Sequence, residues 1–191
     1  SANWMWPCRS QKGEDARLYE GVKALSDFCC DLKINVPTGK DSLSLSQQYP
    51  GGEKIISPGT VIVSAGAEVS DVRNVTSPVV VNDEDSTLLH IDFSKSELQL
   101  GGSAFFQTLG AVGSKAPQVE DAEYFRAAFN AVQTIEKNGF ALAGHDVSAG
   151  GLVTCLLEMC FSNTKGGLNV SLDAFAEKDL LKILFAENPA V

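Results

Sequence analysis

The sequence predicts a mixed α/β (α+β) fold in two modules, and three observations lead there. Helical stripes and alternating, strand-like runs follow one another along the chain. Turns rich in glycine and proline separate them at short spacing. A polar, acidic stretch at 76–86, with Pro78 and Asn82-Asp83-Glu84-Asp85, interrupts the rhythm in the middle. The spacing therefore divides the chain into a module over 1–80 and a second over 85–191, each with its own helices and strands.

Taken in order, the first strong helix is predicted from Asp15 to Leu32. Leu18, Val22, Leu25, Cys29 and Leu32 recur at the four-three spacing of one buried face, and Glu14 and Asp15 place negative charge at its amino end. The turn-forming Asn35-Val36-Pro37-Thr38-Gly39 leads into Lys40–Leu45, whose polar–apolar alternation reads as a strand. A loop at Pro50-Gly51-Gly52 precedes the β-rich Thr60–Gly66. In the second module Thr87–Phe93 reads as a strand and Gly101-Gly102-Ser103 as the start of a short helix to Leu109. A longer helix spans about Asp121 to Asn138, with Phe125, Ala128, Phe129, Val132 and Ile135 on one face and Gly139 as its stop. Strand Phe140–Ala143, helix Leu152–Phe161, a strand near Leu168–Leu172 and a last helix from about Asp173 complete the expectation.

Composition narrows the function. Hydrophobic content of 44% and charged content of 20% fit a globular chain, and 191 residues suffice to bury a core. No apolar run approaches the roughly 18 residues of a membrane span, and no secretory signal opens the chain. A net charge of −9 argues against a nucleic-acid surface, which needs clustered Lys and Arg. The five cysteines form no C-x-x-C pair and are expected to be reduced, mostly buried packing residues of a cytoplasmic protein. The absence of an initiator Met and the stop after Asn188-Pro189-Ala190-Val191 lead to the expectation that this is a piece of a longer chain.

Two segments concentrate the chemistry. At residues 140–152 a strand ends in His145, Asp146 and Ser148, and Gly150 and Gly151 permit a tight turn into a helix. Such a turn offers backbone N–H groups and a positive dipole end to an anion. Asp146 is the residue type that holds Mg²⁺ beside phosphate oxygens, and Ser148 either donates to a phosphate or caps the helix. The same pattern also fits an ordinary capped helix, and no Lys follows the glycines as in a Walker loop. The second segment, Thr38-Gly39-Lys40-Asp41-Ser42, brings a cation, a carboxylate and a hydroxyl within one short reach; it equally fits a solvated strand start. Gly101-Gly102-Ser103, His90 and His145 read more simply as structural.

In order and spacing, these segments resemble the large, single-chain phosphoribosylformylglycinamidine synthases. Ser1-Ala2-Asn3-Trp4-Met5, Gly13-Glu14-Asp15-Ala16, Pro37-Thr38-Gly39-Lys40-Asp41-Ser42-Leu43-Ser44 and Asp71-Val72-Arg73 carry the likeness. So do Leu100-Gly101-Gly102-Ser103-Ala104 and His145-Asp146-Val147-Ser148-Ala149-Gly150-Gly151-Leu152, so that it covers nearly the whole chain. The resemblance implies the end of an aminoimidazole-ribonucleotide-synthetase-like amino-terminal domain, followed by most of a carboxy-terminal domain of that fold. The implied reaction is ATP-dependent conversion of formylglycinamide ribonucleotide to its amidine with ammonia from glutamine. This fragment alone is expected to be inactive.

Residue by residue, the resemblance implies that Gly39 lies near ATP and Ser42 near the substrate. Lys40 stands where the smaller form of the enzyme has a magnesium-binding Asn, so it would meet a phosphate directly. Asp146, through Mg²⁺, and Ser148, directly, match an auxiliary ATP/ADP site. Arg and Asp are common in the family where this chain has Val147 and Ala149. Implied partners are the substrate, the nucleotide and the remaining domains including a glutaminase; interface left exposed without those domains leads separately to the expectation of a dimer of the fragment. Two other readings stand beside this one: a different ATP-using synthetase of the same fold, and a non-catalytic dimerisation or scaffold domain.

Overall fold

The computed structural model describes all residues, 1–191, as two compact units, Ser1–Val69 and Ser70–Val191. Residues 70–80, which the sequence pattern groups with the first module, make long-range bonds inside the second unit. Thr76 Oγ1 donates to Glu136, Gly144 N to Ser77 O at 3.1 Å, and Val80 N to Met159 O at 2.9 Å. No helix is long and apolar enough to cross a membrane.

The first unit is a three-stranded sheet with one helix and a hairpin. Strand β1 (Ala2–Met5) lies in the centre, parallel to β2 (Gly39–Ser42) and antiparallel to a later strand, Thr60–Val63. Parallel neighbours need a crossover, and helix α1 (Glu14–Leu32) supplies it. Trp6 anchors that helix: its indole Nε1 donates to Glu14 O at 3.1 Å and the Arg17 guanidinium lies 5.7 Å from its ring centre. Gly21 faces Trp4 and Trp6. The predicted stripe is half-buried at Leu18, Leu25, Cys29 and Leu32, whereas Val22 is exposed. The hairpin pairs β3 (Ser46–Gln48) with β4 (Lys54–Ile56) around Gly51 and Gly52, both at positive φ; Thr60–Val63 is then β5. The strand expected over Lys40–Leu45 thus ends at Ser42, where Trp6 N donates to Ser42 O and Leu45 N to Trp6 O.

Helices dominate the second unit: α2 (Ala104–Thr108), α3 (Ala122–Lys137), α4 (Gly151–Phe161) and α5 (Leu180–Phe185). Val147, Leu152, Cys155, Met159, Ile183 and Ala190 form its core. Helix α3 begins at the Asp121 cap, which accepts from Tyr124 N at 2.9 Å, and stops at Gly139 with φ +67°. Its stripe is half-buried except at Phe129, which is exposed, and Phe125 packs at a tilt against Phe93, ring centres 5.3 Å apart.

Three expected strands are corrected. Thr87–Phe93, Phe140–Ala143 and Leu168–Leu172 form no ladder; only Asp92 enters a bridge, with Ala190. Alternation marks extended backbone with one apolar side, but a strand also needs a partner in register. Here the bonds of 91–93 go to the chain's last residues: Ile91 N to Val191 O at 2.7 Å and Phe93 N to Pro189 O at 2.9 Å. The last helix starts later than expected, because Asp173 is engaged by Ser171 in a turn and Asp179 supplies the cap to Leu181 N. The five cysteines are all free, but Cys155 alone is buried and Cys8 and Cys30 are exposed.

Asn188 is the most connected buried side chain, 3% exposed. The two hydrogens of its Nδ2 are shared among Ser94 Oγ, Ser96 Oγ and Glu97 O, and its Oδ1 accepts from Gln99 N. Replacing it leaves buried partners unmatched, so Asn188→Ala is expected to destabilise by about 3 kcal/mol in denaturant unfolding. Asn188→Asp, which removes both Nδ2 hydrogens and places a charge at a buried position, should cost at least as much.

Asp121 gives a second expectation. Its bond from Tyr124 N, then its pairing with Lys95 at 2.9 Å, hold its carboxyl below the usual aspartate range. The folded state therefore binds its proton less readily than the unfolded state. The contribution is present above the ordinary value of about 3.9 and is lost as pH falls through the lower folded value. Acid unfolding followed by circular dichroism should show a shallower slope in Asp121→Asn.

Candidate functional site

The residues singled out in the sequence fall into two groups, one in each unit. In the first unit the register places Gly39 opposite Ala2, Lys40 opposite Asn3 and Ser42 opposite Met5. Residues two apart on a strand share a face, so Lys40 and Ser42 project together. Lys40 Nζ donates to Ser42 Oγ at 2.6 Å, an ammonium and a hydroxyl gathered at an accessible strand edge. Such a pair can meet a phosphoryl group with one charge and one hydrogen bond. Gly39 has a local reason to be glycine: a Cβ there would overlap Ala2 O.

In the second unit the chain enters the glycine turn in extended form. Val147 is buried in the core and its N donates to Ala190 O at 2.9 Å. Its neighbours Asp146 and Ser148 are therefore turned outward, and the Asp146 side chain is 77% exposed. His145 is tied down beside them: Nδ1 meets Asp146 O at 2.8 Å and Nε2 lies 3.0 Å from Glu158 Oε2. That supports the structural reading of His145. His90 is likewise packed, its ring centre 5.1 Å from that of Phe175, and partial burial holds its pKa below the usual histidine value.

The turn differs from the expectation in one respect. The backbone N–H groups predicted to face an anion are already engaged: Gly151 N donates to Ser148 O at 3.0 Å and Gly150 N to Glu187 Oε1 at 2.8 Å. Gly150 is the N-cap of α4, with φ +93° and no side-chain cap, so Ser148 does not cap the helix. What the turn offers outward is the Asp146 carboxylate and the Ser148 hydroxyl. Gly101-Gly102-Ser103 is structural as read: Gly101 N and Gly102 N donate to Lys115 O and Val112 O, and buried Ser103 caps α2.

No group of three or more His, Cys, Asp or Glu side chains is placed to hold a metal. Asp146 is thus a single carboxylate, a donor set that suits Mg²⁺ only when phosphate oxygens and water complete the shell. A cavity of about 400 Å³ lies beside α3 and α4, lined by residues such as Leu89, Val132, Leu152 and Met159, and neither Asp146 nor Ser148 lines it.

Comparison with known proteins agrees with this division. Residues 1–68 match the FGAR-AT PurM_N-like domain, and residues 84–191 match the AIR synthase related protein, C-terminal domain. The chain belongs to the AIR synthase related family. Among curated relatives, this family member is similar to the probable phosphoribosylformylglycinamidine synthase, chloroplastic/mitochondrial, of Arabidopsis thaliana, at 36% identity over 189 residues. The similarity covers 98% of this chain and 13% of the plant protein, so the chain spans a small part of that relative's length. The resemblance read from the sequence motifs is thereby met, as is the mixed α/β class.

Glu187 and Glu158 were not singled out from the sequence. An acid just after an apolar helix, ahead of Asn188-Pro189, was the only cue to the first; nothing local distinguishes the second.

The glycines give a direct check on this geometry. Gly151 has φ +74°, and an added Cβ would sit 2.7 Å from Leu184 O and from Phe185. Gly151→Ala should destabilise the protein by about 2–3 kcal/mol from strain and overlap together, whereas Gly167→Ala, in open space, should change the melting midpoint little.

Proposed function

We propose that this chain is a segment of a phosphoribosylformylglycinamidine synthase. In that role Lys40 and Ser42 belong to the wall of the reacting site, and Asp146 and Ser148 to a second nucleotide site. The observation that carries the reading is the match over 98% of the chain to one such synthase, with an FGAR-AT-type domain and an AIR synthase-type domain in order. The FGAR-AT domain over 1–68 favours it over another ATP-using synthetase of the same fold.

The chemistry asked of such a site is charge management. The γ-phosphoryl of ATP is transferred to the amide oxygen of formylglycinamide ribonucleotide, with ADP leaving. Ammonia, released from glutamine by a glutaminase domain outside this segment, then displaces phosphate to give the amidine. Both steps gather negative charge on phosphoryl oxygens, which a preorganised cation stabilises without reorganisation at the moment of reaction. Lys40 supplies that cation, and Ser42, already hydrogen-bonded to it, orients the substrate. Asp146 would hold Mg²⁺ carried by the second nucleotide, and Ser148 would donate to a phosphate oxygen. That nucleotide is a structural ligand of the segment and is not consumed.

The test is ammonia-dependent ADP formation by the full-length protein with formylglycinamide ribonucleotide. Ser42→Ala and Lys40→Ala should each lower kcat/KM at least about tenfold. Asp146→Ala should leave turnover within about threefold and instead remove the rise in melting temperature that Mg·ADP gives, since ligand binding to the folded state sets that rise. Unchanged activity in Ser42→Ala and Lys40→Ala together would reject the first site. A wild-type protein that forms no ADP would reject the synthase reading.

A further inference from the structure

We propose that Glu187 is the positioning residue of the nucleotide turn: its carboxylate holds Gly150 and the start of α2 at one point, and so sets where Ser148 and Asp146 stand. The inference rests on the reading of Asp146 and Ser148 given above. A single oxygen, Oε1, accepts from Gly150 N at 2.8 Å and from Ala104 N at 2.8 Å. The two donors come from different glycine turns, and no other side chain joins them at this point.

Each side of this junction has a different rigidity. The α2 turn is fixed without Glu187, because Gly101 N, Gly102 N and the buried Ser103 hydroxyl are bonded to Lys115 O, Val112 O and Leu100 O. The backbone bearing Glu187 is also fixed: Ala186 is buried before it, and Asn188 after it binds the 94–99 loop through four hydrogen bonds. The α4 turn is tied more locally, by the Thr154 hydroxyl donating to Gly150 O at 3.1 Å and by Gly151 N donating to Ser148 O. Its N-cap is a glycine in left-handed conformation with no side-chain cap, and Glu187 is the acceptor its N–H uses.

From there the connection to the proposed ligand groups is short. Gly151 N donates to Ser148 O, so moving the Gly150–Gly151 turn moves Ser148 with it. Val147 on the other side is clamped in the core by Ala190. Ser148 is therefore held between a core residue and the Glu187 carboxylate. One side-chain oxygen accepts both N–H groups at once, and the length of the side chain places it: Asp, one methylene shorter, would not reach both donors from the same backbone.

The experiment compares Glu187→Ala, Glu187→Asp, Glu187→Gln and Ser148→Ala in the full-length protein. Mg·ADP affinity is measured by calorimetry, and melting is recorded without nucleotide. Glu187→Asp and Glu187→Ala should each weaken Mg·ADP binding about tenfold, while Glu187→Gln, whose amide oxygen accepts the same two bonds, stays within about threefold of wild type. Variants that melt lower yet bind Mg·ADP normally would show a purely structural glutamate and overturn the inference. Glu187→Gln as weak as Glu187→Ala would overturn it too. If Ala fails to fold, the Asp and Gln pair decides alone. If Ser148→Ala binds Mg·ADP like wild type, the ligand site itself is wrong, and the inference falls with it; Ser148→Ala weakened beside a normal Glu187→Asp rejects the inference alone.

Discussion

The second unit depends on its last residues, Glu187 to Val191, because they supply partners that a sheet would otherwise provide. Buried backbone groups must be paired, and an extended segment without a neighbour in register has nowhere local to place its bonds. Ile91 and Phe93 find theirs on Val191 and Pro189, and Val147 finds its own on Ala190. Glu187 and Asn188 do the same with side chains, reaching the α2 start, the α4 turn and the 94–99 loop. A five-residue stretch thus links three irregular segments, and the apolar core around Val147, Cys155 and Ile183 closes behind it. Where a bond is buried, as between Asn188 and Ser94, a lost partner carries a desolvation cost that solvent does not offset.

That arrangement explains which elements the sequence made legible. Helices α1, α3 and α4 were read nearly to their ends, because a helix satisfies its backbone internally and announces itself by a 3.6-residue stripe and its caps. Asp121 and Gly139 mark α3 in this way. The extended segments were legible only in their apolar alternation. Whether Thr87–Phe93 pairs, and with what, depends on residues about a hundred positions away in the chain, which no local pattern records. The stripes fail in part as well: Val22 and Phe129 keep the helical spacing yet remain exposed.

The two candidate groups share a design. In each, two polar residues alternate with a residue directed elsewhere: Lys40 and Ser42 around Asp41, Asp146 and Ser148 around Val147. Extended backbone then delivers two functional side chains to one face at fixed spacing. What was not legible was the use of the glycine amides. Their sequence pattern advertises free N–H groups, but a carboxylate far along the chain and a carbonyl within the turn had already taken them.

This has an electrostatic consequence for any phosphate that comes to the second turn. Asp146 and Glu158 flank His145, and Glu187 lies on Gly150, so three carboxylates gather at this turn. Val147 is spent on the core, and Ala149 adds no charge. A bare polyphosphate would meet repulsion here, scarcely screened within the Debye length of about 8 Å at physiological salt. A polyphosphate that brings its own divalent cations reverses the sign of the interaction, and the exposed Asp146 carboxylate becomes an attractive group. The acidity that makes the turn a poor site for free phosphate would, on the proposed reading of Asp146 and Ser148, favour a metal-bound nucleotide.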